Sequence, residues 1–210
     1  MFITFEGIDF CGKSTQVELL RNFLIKKGRE VIVIREPGGT EISERIRDIL
    51  LDRKNSEMKM ETEFLLFSSS RSQLVREVIL PALKKDIIVI SDRFHDSSTA
   101  YQGYGRGLDV EKIKQINSFA ISDVLPDVTF LIDITVEESL RRKSLKSHSE
   151  LDRIEISSDN FYQKVRQGYL KIAEDENRFV VIDGSLKIEE IHNIIIDKIM
   201  SLNRGLNNEN

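Results

Sequence analysis

The sequence predicts an α/β fold, a five-stranded parallel sheet with helices on both faces, and two observations carry that prediction. Five short β-branched runs recur, at residues 2–5, 31–34, 87–90, 128–132 and 179–182. Each is continuously apolar rather than alternating, as a strand covered on both faces should be. Longer segments with helical periodicity separate them, at residues 13–27, 41–51, 61–84, 110–122, 136–143, 160–176 and 188–202. Right-handed crossovers between successive strands then make the sheet parallel and bring ligands to the carboxyl ends of the strands.

Composition bounds the rest. The 210 residues are 40% hydrophobic and 31% charged, which is globular, and no apolar run approaches the ~20 residues of a membrane helix. Net charge is −4, so no overall field draws the chain to nucleic acid or an anionic membrane, and neither is expected as a partner. Met1 begins a strand-like segment with no secretory signal before it, which predicts a cytoplasmic protein. The lone Cys11 makes no internal disulfide. With no repeat or Pro-rich linker, one domain over residues 1–203 is expected, followed by a polar, disordered tail at 204–210. The exception to the regular pattern is residues 141–155, a basic and Ser-rich stretch that reads as a small mobile insertion.

Between the first strand and first helix stands Gly7-Ile8-Asp9-Phe10-Cys11-Gly12-Lys13-Ser14, a match to G-x-x-x-x-G-K-[ST]. Glycines at both ends let the backbone curl so that consecutive N–H groups and the helix N-terminus face phosphate oxygens. Lys13 then reaches the β- and γ-phosphates, and Ser14 offers a hydroxyl to Mg²⁺. This is the P-loop NTPase signature, and residues Gly7 to Thr15 are the expected ATP-binding loop: Gly7, Ile8, Asp9, Phe10, Cys11, Gly12, Lys13, Ser14 and Thr15. Cys11 reads as a small spacer, because phosphoryl transfer rests on positioning and electrostatics rather than on a nucleophile. Asp92 ends the third strand like a Walker-B acid and joins Ser14 as a candidate metal ligand.

No guanine-reading Asn-Lys-x-Asp occurs, which argues against a GTPase. Downstream of the loop stand Arg35-Glu36-Pro37-Gly38-Gly39-Thr40, then Glu63 to Arg71, Asp92-Arg93-Phe94, Ala100-Tyr101-Gln102-Gly103 and Leu151-Asp152-Arg153-Ile154-Glu155. In that order they resemble the thymidylate kinase family, over nearly the whole chain. The resemblance implies a nucleoside monophosphate kinase fold, transfer of the ATP γ-phosphate to dTMP to give dTDP, and a homodimer. It assigns Arg93 and Arg47 to the dTMP phosphate and Phe67 to stacking on thymine. Arg71 is assigned to the thymine 4-oxo group, Asp9 to the sugar 3′-hydroxyl, Tyr101 to the missing 2′-hydroxyl, and Glu36, Ser97 and Gln102 to the same pocket. Chemistry agrees with it: a phosphate acceptor with a second pKa near 6 is largely a dianion at neutral pH and needs little general-base help. The difficulty is instead the meeting of roughly six negative charges, which demands converging cations.

The family carries a catalytic arginine either in the P-loop after its acidic residue or in a lid. The P-loop position here is Phe10, so the bacterial lid-arginine arrangement is expected, with residues 141–155 as the lid. Arg142 and Arg153 are the expected catalytic cations beside Lys13 and Arg93, with Arg142 also against adenine and Lys146 in reserve; the alternative is a solvated basic loop. His148 reads as a solvated loop residue, His95 as pocket lining and His192 as structural. A deoxynucleoside kinase or a catalytically silent nucleotide binder are the competing functions.

Overall fold

Alternate residues of the first strand face two separate apolar cores. In the computed structural model, which describes residues 1–145 and 151–207, Ile3 and Phe5 pack with Leu20, Leu24, Ile195 and Ile199. Phe2 packs instead with Leu74, Val75 and Ile79. The strands β1 (Phe2–Glu6), β2 (Val31–Arg35), β3 (Ile88–Asp92), β4 (Val128–Asp133) and β5 (Phe179–Asp183) form one sheet in the order β2-β3-β1-β4-β5. Every pairing is parallel. The chain moves to one side of β1 for β2 and β3 and to the other for β4 and β5, so the crevice opens at the carboxyl end of β1. Each strand also runs past its apolar stretch to a charged residue, Glu6, Arg35, Asp92, Asp133 or Asp183, and so delivers charge to that edge.

The helices are α1 (Lys13–Lys26), α2 (Glu41–Leu51), α3 (Met60–Leu74), α4 (Leu80–Leu83), α5 (His95–Ser98), α6 (Val110–Ile121), α7 (Val136–Lys143), α8 (Asp159–Asp175) and α9 (Ile188–Asn207). Thr40, Thr135 and Ser158 cap α2, α7 and α8 by accepting from a backbone N–H with the side-chain oxygen. No helix among the described residues is long and apolar enough to cross a membrane.

Three stretches differ from expectation. The segment expected as one helix over 61–84 contains a wide π turn at Val75–Ile79, where Leu80 N–H donates to Val75 five residues back. Pro81 accounts for it: lacking an N–H and clashing with the preceding turn, it cannot continue a tight helix. A second π turn, at Thr99–Gly105, lies where no helix was expected and contains Gly103 and Gly105. A Cβ on Gly105 would stand 2.7 Å from Phe161 and Val165, so this glycine serves close packing on α8. Finally, α9 continues to Asn207, making residues 204–207 helical where a tail was expected; residues 208–210 lie outside the described ones.

Candidate active site

The glycine loop closes over β4. Gly7 has φ of 137°, and a Cβ there would meet the Ile132 carbonyl oxygen at 2.5 Å. Gly12 starts α1 in the left-handed conformation, turning the first amides of the helix toward the cleft. Lys13 Nζ lies back along the loop, donating to the carbonyls of Ile8 at 3.0 Å and Gly7 at 3.1 Å, with Cys11 Sγ at 3.5 Å. Those carbonyls hold the ammonium where phosphate oxygens can take it over. Cys11 itself is buried, as a spacer should be. Asp9, Phe10, Gly12, Lys13, Ser14 and Thr15 line a cleft of about 480 Å³, while Gly7, Ile8 and Cys11 support it from behind.

One guanidinium spans the middle of that cleft. Arg93, with φ of 73°, donates to Asp9 at 2.5 Å, Gly7 O at 3.0 Å, Tyr101 Oη and Tyr169 Oη at 3.1 Å, and Ser97 Oγ at 3.2 Å. Asp9 also accepts from Tyr162 Oη at 2.8 Å. Burial by itself would raise the Asp9 carboxyl, but Arg93, Lys13 and the two tyrosines outweigh it and hold Asp9 ionised. Behind Arg93 lies Glu6, which sequence alone marks only as the polar end of a strand. It is fully buried and accepts from Phe94 N–H at 2.7 Å, Ser97 Oγ at 2.6 Å and Tyr169 Oη at 2.8 Å. Burial, then the nearby Asp96, pushes its carboxyl up to about 7.

The far end of the cleft gathers Glu36, Arg47, Phe67, Ser97, Tyr101 and Gln102. Arg47 donates to Pro37 O at 2.8 Å, and Arg35, outside the expected set, lines the same wall. Burial first, then Arg35, lowers the Arg47 pKa, so two guanidiniums crowd a place suited to an anion. Arg71 departs from expectation. It does not line the cleft but lies fully buried against Glu36 at 2.6 Å, with its other donors on Asn117 Oδ1, Phe94 O and Ser98 Oγ. The Glu36 carboxylate in the cleft wall takes the donor that the family resemblance assigns to the base. Burial raises the Glu36 carboxyl, with Arg71 partly offsetting it.

The lid arginines also differ from expectation. Arg142 lines the donor end, but Nε donates to Glu138 at 2.7 Å, Nη1 to Phe10 O and Cys11 O at 3.3 and 3.1 Å, and Nη2 to Gly184 O at 2.9 Å. All three nitrogens are engaged, Nη1 on the P-loop, Nε on α7 and Nη2 on the residue after β5. Arg153 does not line the cleft at all; its Nη1 meets Glu63 at 2.7 Å and its Nε donates to Leu50 O at 2.8 Å. Lys146 and His148 lie outside the described residues. His95 lines a separate cavity of about 250 Å³ rather than this cleft, and burial lowers its pKa to about 4. His192 stacks edge-on near Phe23 at 6.3 Å, a structural place.

Ser14 Oγ donates to Asp92 Oδ2 at 2.7 Å, so a hydroxyl and a carboxylate, both hard oxygen donors, meet beside the loop. No group of three or more His, Cys, Asp or Glu able to hold a metal occurs among the described residues. A hard divalent cation therefore fits here only with most of its shell supplied by phosphate and water.

Comparison with known proteins agrees with this geometry. The family model described as thymidylate kinase matches residues 5–195. A thymidylate kinase of Thermoanaerobacter sp. (strain X514) is 51% identical over 94% of this chain and 96% of its own length. One of Chlorobaculum tepidum is 51% identical over 96% of this chain and 98% of its own. The crystal structure of thymidylate kinase from Ehrlichia chaffeensis superposes with a TM-score of 0.77 at 37% identity, covering 95% of this chain and 98% of that one. A P-loop at one end of the cleft, clustered arginines at the other and these likenesses lead to one assignment: the chain belongs to the thymidylate kinase family.

Proposed function

We propose that ATP and dTMP occupy the two ends of this cleft and that their facing phosphates react directly. The chain is an ATP-dependent nucleotide kinase that phosphorylates dTMP to dTDP, the activity of its family. The observation that carries the site assignment is the reach of Arg93, whose single guanidinium touches the P-loop at Gly7 and Asp9 and the acceptor end at Ser97 and Tyr101. A cation so held is preorganised for charge that develops between the two phosphates. Lys13 serves the donor side, and Arg47 and Arg35 serve the acceptor phosphate. Phe67 stacks on the base, and the ionised Asp9 accepts from the sugar.

Ser14 and Asp92 would hold Mg²⁺ together with triphosphate oxygens, and the ion would supply neutralising charge there. Asp92 and Ser14, already hydrogen-bonded to each other, orient the oxygens it needs. The same reading includes a cytoplasmic homodimer: Leu65 of α3 and Ile116 and Phe119 of α6 are exposed on adjacent helices, Phe119 at 79%, and a second copy would cover them. Sedimentation of wild type against Phe119→Asp checks this; a dimer that turns monomeric is expected.

A hydroxyl acceptor would require a carboxylate base, and Glu36 Oε1 is buried without a hydrogen-bond partner among the described residues. Thymidine therefore belongs in the test. ADP release is measured with ATP and dTMP, dUMP, dCMP, AMP or thymidine in turn. Turnover of dTMP well above the others is expected; none with dTMP, or more with thymidine, would overturn the proposal.

A further inference from the structure

The acceptor end of the cleft is walled by segments far apart in sequence. Leu51 of α2, Phe67 of α3, Gln102 of the second π turn and Ile154 of the lid base all face it. Behind them sits a buried ionic hub. Glu63, one turn before Phe67 on α3, is 2% exposed and accepts from Gln102 Nε2 at 2.9 Å, from Arg106 Nε at 3.2 Å and Nη2 at 3.3 Å, and from Arg153 Nη1 at 2.7 Å. Burial would raise the Glu63 carboxyl, but Arg106, Gln102 and Arg153 together bring it below its ordinary value. Arg153 completes the connection to α2, its Nε on Leu50 O at 2.8 Å and its backbone N–H on Leu51 O at 3.2 Å. None of Glu63, Arg106 and Arg153 lines the cleft.

We infer that Glu63 and Arg153 form a positioning pair that ties the lid base to α2, α3 and the π turn and so shapes the dTMP pocket, rather than supplying a cation to the transferring phosphoryl. This rests on dTMP occupying that end of the cleft. Three features favour it. The side chain of Arg153 is 9% exposed, so reaching a phosphate would mean extracting a guanidinium from a buried pair. Glu63 holds Gln102 directly and is one helical turn from Phe67, so losing the pair displaces two pocket walls together. Arg106 adds its guanidinium over the Phe161 ring at 4.4 Å, which fixes the hub against α8.

The test is steady-state kinetics on Arg153→Met, Arg153→Lys, Glu63→Gln and the Arg153→Met/Glu63→Gln double variant, each first checked by thermal melting. Wild type is assayed with dTMP at the outset; no turnover there would defeat the dTMP reading itself, separately from the hub. For Arg153→Met and Glu63→Gln the expected result is a dTMP KM raised about tenfold, with kcat and ATP KM changed less than about threefold. The double variant should be no worse than the worse single, since both changes break one unit. Arg153→Lys, which keeps the charge, should recover part of the dTMP KM and serves as the readout if Arg153→Met does not fold. A kcat loss of about a hundredfold or more with dTMP KM unchanged, in either Arg153 variant, would overturn the inference in favour of a phosphoryl contact. Additive effects in the double variant would also overturn it.

Discussion

The two ends of the cleft are built by different means. At the P-loop end, eight consecutive residues make the site, and the backbone does much of the shaping: glycine torsions curl the loop, and carbonyls of Gly7 and Ile8 hold Lys13. At the acceptor end, walls from α2, α3, the π turn and the lid base are joined by buried ion pairs, Arg71 with Glu36 and Arg153 with Glu63. Arg93 with Asp9 sits where the two ends meet. A site made largely of backbone depends on its glycines and on Lys13, the side chain its carbonyls hold. A site made of paired charges depends on each partner, because a buried charge left alone is costly.

Lys13→Ala breaks the donor end alone. It should lower kcat about a hundred- to a thousandfold, the scale of one removed transition-state donor, while dTMP binding measured by titration stays within about twofold. Wild-type turnover in that variant would remove Lys13 from the chemistry. Arg71→Met breaks the acceptor end from beneath by leaving Glu36 buried and unpaired, and should cost about 3–5 kcal/mol of stability. Chemical unfolding measures this, and a loss under about 1 kcal/mol would mean Glu36 finds another partner or a proton.

Phe67→Ala sharpens the contrast rather than breaking it. Loss of base stacking, worth about 1–3 kcal/mol, should raise dTMP KM about tenfold or more and leave ATP KM alone. Equal rises for both substrates would place Phe67 in the general core.

The smallest effect lies in the pH dependence of stability. Glu6, raised to about 7 in the fold, keeps its proton where an unfolded chain has lost it, so its contribution falls as pH rises from about 4.5 to about 7. His95, lowered to about 4, does the reverse: the unfolded chain holds the extra proton, and stability rises from about pH 4 to about pH 6.5. The two oppose each other. Glu6→Gln should therefore make Tm rise more steeply between about pH 4.5 and 6.5 than in wild type, and an unchanged slope would contradict the raised Glu6 pKa.

Legibility in the sequence divides along the same line. The P-loop is legible because its residues are contiguous and each answers to one physical need, φ above zero at Gly7 and Gly12, a cation at Lys13 and a hydroxyl at Ser14. The strands are legible because continuous apolar runs mark a sheet covered on both faces, although their charged final residues do not read as strand. The acceptor end is reached only through resemblance to a family, and there partner choice decides the outcome. Helical spacing places Phe67 and Arg71 on one face, but nothing local indicates that Glu36, 35 residues earlier, takes Arg71 inside. Arg153 in a basic stretch looks free until Glu63 stands beside it. Glu6 is invisible for the same reason, since its three donors come from elements remote in sequence.

Direct transfer between two phosphates held at the two ends of one cleft can be followed through the phosphoryl group itself. Supplying ATP labelled at the γ-phosphate, with dTMP, and locating the label by phosphorus NMR tests it most directly. Direct transfer leaves the label in the β-phosphate of dTDP with little in inorganic phosphate. Label released chiefly as inorganic phosphate, with dTMP recovered unphosphorylated, would contradict it.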